Sequence, residues 1–293
     1  MHKYLPELKA DNADIRVGLI GAGIQKSRSP FMHMQEAKAQ ALSLNYRLFD
    51  LEQLRCDQSA LPYLLEEIQA AGYAGVNITH PCKQQVIEYL DTLSAEAGDL
   101  GAVNTVIFRD GKRAGHNTDW SGFYNSFSGG LPGAAIDNIL QLGAGGAGSA
   151  VAYALARMGA GILSIFDTDA DRAAGLADRL RDRFNDIDIR TLHNLDTVTA
   201  DIDGLVNTTP VGMKNHPGLP LPASMLTPRF WVAEVIYFPL ETELLSRARE
   251  SACRILDGSG MAIHQAAEAF RLFTGKPADP DRLALLFAEQ SDA

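Results

Sequence analysis

Two stretches of this 293-residue chain place an apolar run ahead of Gly-Ala-Gly: "RVGLIGAGIQKSRSP" from Arg16 to Pro30 and "NILQLGAGGAGSAV" from Asn138 to Val151. A glycine turn between a strand and a helix offers backbone N–H groups and a helix N-terminus to a phosphate. Only the second stretch completes G-x-G-x-x-G, with Gly143, Gly145 and Gly148, and only there do apolar residues then recur at helical intervals, at Ala150, Val151, Ala154, Leu155 and Met158. Gly143 allows the tight turn, Gly145 lets the backbone approach a pyrophosphate, and Gly148 lets helix and strand pack closely; Ala144, Gly146 and Ala147 complete the cradle. Twenty-four residues past Gly143, "ILSIFD" ends its strand at Asp167, an acid that can accept hydrogen bonds from ribose hydroxyls and would repel a 2′-phosphate. The second stretch therefore predicts a dinucleotide site that takes NAD in preference to NADP.

The first stretch fails the same test. Lys26 stands where the third glycine belongs, and the proline of "SRSP" disfavours a helix through Arg28 and Ser29. Ser27 and Ser29 are two residues apart, so in an extended segment both hydroxyls point to one side, where they could hold one carboxylate. Three further polar clusters end predicted strands: "GVNITHPCK", "GAVNTV" and "GHNTDWSGF". His80, His116 and His264 lie within or beside clusters of this kind, but no ligand spacing joins them, so no metal site is expected.

These residues need a scaffold, and the hydrophobic pattern supplies one. Strand-like runs alternate with helix-length amphipathic segments along the whole chain, the pattern of an α/β protein with helices on the faces of a largely parallel sheet. Strands are predicted at "IRVGLI", "YRLFDL", "AGVNIT" and "NTVIF", with helices over 31–42, 60–71 and 83–90. Later strands fall at "NILQLG", "GILSIFD", "DGLVNTT" and "WVAEVIY", with a weaker one at "CRIL". The turn-rich "FSGGLPGAAIDN" separates two halves. The expected organisation is a substrate-binding α/β domain, 1–119, completed by C-terminal helices over 258–293, and a Rossmann-type dinucleotide-binding domain over 120–257.

Composition narrows the class of partner. A hydrophobic content of 46% suits a globular core, and a net charge of −10 gives no electrostatic attraction to nucleic acid or an anionic membrane surface. Three scattered cysteines suggest neither a disulfide framework nor a zinc cluster and fit a reducing cytoplasm. The charged N-terminal stretch lacks the apolar run of a signal peptide. A small-molecule substrate is the expectation, for a monomer or homodimer.

With the serine pair and the dinucleotide turn, the order of the polar clusters resembles the shikimate/quinate dehydrogenase family along nearly the whole chain, most closely its NAD-using branch. The resemblance implies that Ser27 and Ser29 hold the substrate carboxylate and that Asn77, Thr79, Lys83, Asn104 and Asp119 contact substrate hydroxyls, with Lys83 and Asp119 as the catalytic pair. It adds Tyr237 and Gln265 as substrate contacts. Asn207, Thr208, Gly258 and Met261 fall to the cofactor side, Met261 flanking the nicotinamide. The chemistry agrees: oxidising a secondary alcohol requires a hydride acceptor and a group that takes the hydroxyl proton, which a lysine can do while a carboxylate positions it. Read without the resemblance, Lys83 is a solvated residue opening a helix and Asp119 a helix N-cap before "WSGF".

The implied reaction is reversible NAD-linked oxidation of the ring C3 hydroxyl of shikimate to 3-dehydroshikimate. A quinate, dual quinate/shikimate or aminoshikimate-type dehydrogenase and a ligand-binding regulatory paralogue are the alternatives. Three departures from the family pattern stand out: "GAGIQK" replaces a Gly-x-Pro turn with a His before the first serine, "DTD" at Asp167 to Asp169 replaces Asn-Arg-Thr, and Glu234 replaces an Asp.

Overall fold

The computed structural model describes residues 13–195 and 201–289. The chain divides into two compact units, Met1–Thr118 with Gln265–Ala293, and Asp119–His264.

The first unit is built on a six-stranded mixed sheet. Its strands are β1 (Ile15–Gly21), β2 (Leu44–Asp50), β3 (Gly75–Ile78), β4 (Thr92–Leu93), β5 (Thr105–Arg109) and β6 (Lys112–His116), in the order β2-β1-β3-β5-β6-β4. β1 runs parallel to β2 and β3, while β5 is antiparallel to both β3 and β6. This polarity brings the carboxyl ends of β1, β3 and β6 and the start of β5 to one edge of the sheet. Helix α1 (Ser29–Ala39) follows β1, and α2 (Leu61–Ala70) turns Leu61, Leu64, Leu65 and Ile68 into a core with Ile20, Val76 and Val106. Short α3 (Ala95–Leu100) is capped by the Ser94 hydroxyl, which accepts from Ala97 N.

The second unit carries a wholly parallel sheet: β7 (Asn138–Leu142), β8 (Ile162–Phe166), β9 (Asp188–Leu192), β10 (Gly204–Asn207), β11 (Trp231–Glu234) and β12 (Arg254–Leu256), ordered β12-β11-β10-β7-β8-β9. The chain winds outward from β7 to one side, then returns to β10 and winds to the other. That is the Rossmann-like order, and its switch point lies between β7 and β10, where such sheets bind ligands outside the strands' carboxyl ends. Helix α4 (Asp119–Gly130) opens this unit, α5 (Gly146–Met158) and α6 (Ala170–Arg183) follow β7 and β8, and α7 (Glu243–Glu250) precedes β12. Because α5 is buried along most of its length, small residues dominate its sequence, and Gly159 ends it in the left-handed region at φ +88°.

Two differences from the sequence expectation have local causes. Over 83–90 there is only a 3₁₀ segment, Gln85–Tyr89, too short for an α-helix, between the turn after β3 and β4. The return to the first unit comes at Gln265 rather than Gly258, because α8 (Ser259–Thr274) is shared between units. Gly260 at its start packs against Ser126 of the second unit, whereas Ala269 and Phe273 join the first unit's second core with Val17, Leu19 and Tyr46. The last helix, α9 (Pro280–Glu289), is tied to α1 by a salt bridge from Arg282 to the buried Glu36, 2.9 Å.

Candidate substrate and cofactor sites

The functional edge of the first unit follows from strand polarity. Ser27 and Ser29 lie beyond the end of β1, Asn77 and Thr79 at the end of β3, Lys83 in the turn that follows, and Asn104 at the start of β5. Backbone bonds lock these ends together: Thr79 N donates to Ile20 O (3.0 Å), Ile78 N to Asn104 O (2.8 Å) and Val103 N to Lys83 O (2.8 Å). Gly21 is required here, since a Cβ on it would stand 2.3 Å from Thr79 Cγ2 and 3.0 Å from His80 O.

Below this edge runs a buried chain of amides and hydroxyls. Tyr46 Oη donates to Asn77 Oδ1 at 2.8 Å, and Asn77 Nδ2 donates to Thr105 Oγ1 at 2.9 Å and to Asn104 O at 3.3 Å. Asn104 Oδ1 accepts from Thr118 N at 2.8 Å and from Thr105 Oγ1 at 3.0 Å. With its Nδ2 protons directed inward and one lone pair of Oδ1 given to Tyr46, Asn77 retains the second lone pair of that oxygen as an acceptor. The Ser29 side chain also hydrogen-bonds the Tyr46 phenol, whose ionisation burial opposes strongly. Tyr46, Thr105 and Thr118 carry no distinguishing signal in the sequence, being isolated hydroxyl residues on strands or in a connection.

The serine pair needs correction. Arg28 has φ −82° and ψ −12°, and α1 begins at Ser29, so the chain turns into a helix between the two serines and the segment is not extended. Pro30 sits in the helix's first turn, where the missing N–H would have had no intrahelical partner and the fixed φ suits the helix. The two hydroxyls are therefore unequal: Ser27 Oγ accepts from Ser29 N at 3.3 Å, while Ser29 reaches Tyr46. Behind them His33 Nδ1 meets Ser29 O at 2.9 Å; burial lowers its pKa from 6.5 to about 4, so the ring is neutral and Nδ1–H donates to that carbonyl. Gln265 lies in α8 on the first unit's side of the division, partly buried.

In the second unit the turn after β7 has the form of an anion cradle. Gly143 takes φ +96°, and Gln141 Nε2 spans the turn, donating to Gly143 O at 2.8 Å and Gly148 O at 2.9 Å. A Cβ on Gly148 would lie 2.5 Å from Gly143 O, so helix and strand can approach this closely only with glycine there. Gly145 and Gly146 are different: a Cβ on either meets nothing within 4 Å, and Gly145 caps α5 with no side chain bonding the helix's leading N–H groups. Open space over unbonded helical donors fits the pyrophosphate of a dinucleotide. Ala144 and Ala147 flank these glycines in the same turn.

Neighbouring strand ends frame that turn. Thr208 Oγ1 bonds Leu142 O (2.8 Å) and Gly143 O (3.0 Å), so its hydroxyl supports the turn. Asn207 Nδ2 donates to Val211 O and to both oxygens of the buried Glu234, at 3.2 and 3.0 Å. Glu234 also accepts from Val235 N, Ile236 N and Thr242 Oγ1. Burial pushes its pKa up from 4.5 to about 7, although these hydrogen bonds oppose the shift. Gly258 passes the Val235–Ile236 backbone so closely that a Cβ would lie 2.5 Å from Ile236 O. Met261 is buried in the first turns of α8, Tyr237 is 43% exposed beyond β11, and Asp119 is buried as the first residue of α4. Among the described residues no group of three or more His, Cys, Asp or Glu could hold a metal, and no helix is long and apolar enough to cross a membrane.

Asp167 is not the unoccupied ribose acceptor that its position suggested. Its Oδ2 accepts from Ala144 N at 2.7 Å and its Oδ1 from Asp169 N at 2.9 Å. The Arg172 guanidinium lies 3.9 Å from Asp167 Oδ1 and 3.3 Å from Asp169 Oδ2. The acid is partly neutralised and a half-exposed cation stands beside it, so repulsion of a 2′-phosphate does not follow from Asp167 alone.

Residues 19–106 match the family model described as "Shikimate dehydrogenase substrate binding domain", and residues 258–283 match "Shikimate 5'-dehydrogenase C-terminal domain". The chain is 51% identical to a shikimate dehydrogenase (NADP(+)) of Streptomyces avermitilis, covering 93% of this chain and 94% of that one. It is 46% identical to a quinate/shikimate dehydrogenase (NAD(+)) of Corynebacterium efficiens, over 93% and 97%. The solved quinate dehydrogenase from Corynebacterium glutamicum in complex with NAD superposes with a TM-score of 0.91 at 45% identity, over 95% of this chain and all of that one. The sequence expectation of NAD in preference to NADP is thereby overturned: the more identical of the two curated relatives is an NADP enzyme, and both cofactors occur among relatives of similar identity.

Proposed function

The chain belongs to the shikimate/quinate dehydrogenase family, and on that premise we propose that it reversibly oxidises the ring C3 hydroxyl of both quinate and shikimate with a nicotinamide dinucleotide, NAD(P). It is an NAD(P)-dependent oxidoreductase acting on a ring CH–OH. The observation that carries the substrate reading is the convergence of Ser27, Ser29, Asn77, Thr79, Lys83 and Asn104 on one edge of the first unit's sheet. Such an edge offers hydroxyls for a carboxylate, amides for ring hydroxyls and one ammonium or amine for proton transfer.

In this reading Ser27 and Ser29 hold the substrate carboxylate, while Asn77, Thr79 and Asn104, with Tyr237 and Gln265, fix the ring. Lys83 takes the proton of the reacting hydroxyl, and Asp119 is the other member of the catalytic pair. A nicotinamide dinucleotide, when bound, would supply the hydride acceptor. The Gly143–Gly148 turn holds its pyrophosphate, and Asn207, Thr208, Gly258 and Met261 complete that side. Both substrates are assigned because they share the carboxylate and the reacting alcohol. Quinate differs by a hydroxyl where shikimate has its ring double bond, and relatives of similar identity bear both substrate names.

Initial rates with shikimate and quinate, each against NAD and NADP, test the proposal. Turnover of both ring alcohols is expected; no oxidation of either with either cofactor would overturn it. Lys83→Ala should lower kcat by about 10²- to 10⁴-fold while cofactor binding persists. A near-normal kcat in that variant would remove Lys83 from the mechanism.

A further inference from the structure

The first Gly-Ala-Gly turn is filled from within. The carboxylate of Asp50, the last residue of β2 and 3% exposed, collects four donors. Its Oδ1 accepts from Gly23 N at 3.0 Å and Glu52 N at 3.1 Å, and its Oδ2 from Ile24 N at 3.2 Å and Gln25 Nε2 at 2.9 Å. The remaining N–H of the turn, on Ala22, donates to His80 O at 2.9 Å. Burial opposes the charge of Asp50, but the bonds from Gln25, Glu52, Gly23 and Ile24 outweigh it and hold the carboxyl below the usual range. The backbone donors that could have met a phosphate thus meet an anion of the chain's own, which would also repel an entering phosphate.

The same contacts continue toward the serines. Ile24, whose N–H is held by Asp50, accepts from Ser27 N through its carbonyl at 2.9 Å, and Ser27 Oγ accepts in turn from Ser29 N. The Ile24 side chain is buried in the core beside Val17 and Leu19, so the link is anchored at both ends. Gly23, at φ +66°, provides the left-handed step that turns consecutive N–H groups toward one carboxylate.

We propose that Asp50 is a positioning residue for substrate binding, an internal counter-anion that shapes the first Gly-Ala-Gly turn so that Ser27 and Ser29 present their hydroxyls to the substrate carboxylate. This rests on the reading of those serines given above. Asp50 touches no reacting atom, so its loss acts on the Michaelis complex and not on the chemical step.

The test measures KM and kcat for shikimate and quinate, and the cofactor dissociation constant, in Asp50→Ala, Asp50→Asn, Ser27→Ala and Ser29→Ala. Asp50→Ala should raise KM about tenfold, the scale of losing hydrogen bonds to a charged group, with kcat and cofactor affinity little changed. Formate at about 0.1 M, corrected for its effect on the wild type, should lower that KM again by replacing the missing carboxylate. A KM unchanged in both Asp50 variants while the serine variants raise theirs would overturn the role of Asp50 and leave the serine reading standing. A raised KM that formate does not lower would reduce Asp50 to general structural support and equally overturn the proposal. Serine variants with unchanged KM would instead overturn the serine reading. Should Asp50→Ala fail to fold, Asp50→Asn together with Gln25→Ala, at an exposed position, reads the same KM-against-kcat split, and no split in either would count against the proposal.

Discussion

The two Gly-Ala-Gly turns share a local layout and do opposite things. Each follows an interior strand, and each is met by an aspartate at the end of the next one, Asp50 as the last residue of β2 and Asp167 just after β8. At the first turn the aspartate takes two of the turn's N–H groups and Gln25 besides, which closes it to an outside anion. At the second, Asp167 takes only one of the turn's own N–H groups, that of Ala144, and the space over Gly145 and Gly146 is open. The lesson is that a glycine turn binds phosphate only where its donors remain unspent, and a side chain from another strand decides that.

The strongest way to break this comparison is Gly145→Val. Its backbone, at φ −74°, accepts a side chain without strain and its Cβ direction is open, so the variant should fold normally. The added methyls would stand where a pyrophosphate must approach. Cofactor affinity should fall by about 10²-fold or more, roughly 3 kcal/mol, read by titration calorimetry. An unchanged dissociation constant would mean that this turn does not hold the dinucleotide.

The two units should also differ in sign with pH. His33 in the first has its pKa lowered from 6.5 to about 4 by burial, so the unfolded state binds the extra proton and the unit loses stability as pH falls from about 6.5 to 4. Glu234 in the second has its pKa raised from 4.5 to about 7, again chiefly by burial, so the folded state binds the extra proton and stability falls as pH rises from about 4.5 to 7. Each contribution amounts to roughly 3 kcal/mol across its pH window. Residue-resolved hydrogen exchange should show opposite slopes in the two units. His33→Phe should flatten the first and Glu234→Gln the second; parallel slopes would contradict the assignment.

A smaller effect sharpens what the turns have in common. Gly21→Ala and Gly148→Ala each force a Cβ into close contact, against Thr79 Cγ2 in one case and Gly143 O in the other. Each should destabilise by about 1–3 kcal/mol in denaturant unfolding, in contrast to Gly145→Ala, which should cost little. If Gly148→Ala were as stable as Gly145→Ala, close helix–strand packing would not be why a glycine stands there.

Much of the architecture was legible in the residues. Apolar runs such as "NILQL" and "GLVN" announced buried parallel strands, and the spaced glycines announced the turn and helix after β7. The helix start at Ser29 is not legible in the sequence because a proline's bias against helix in the preceding residue competes with its favoured place in a first turn, and sequence alone does not choose between them. Glu234 drew notice only as a departure from a pattern. Its four partners, Asn207, Val235, Ile236 and Thr242, come together through strand pairing and a loop.

By itself the sequence determined the class of fold, the family, the glycine turn after β7 and the set of polar residues that gather at the first sheet's edge, because these depend on periodicity and on residue types at fixed spacing. Tertiary structure alone decided which donors and charges remain available. Asp50 lies 29 residues beyond Gly21 and Asp167 lies 24 beyond Gly143, nearly the same arrangement in the chain. One closes its turn and the other leaves its turn open, with Arg172 at its side, because hydrogen-bond satisfaction is settled by which groups the folded strands and loops bring within 3 Å, a distance that sequence separation does not encode.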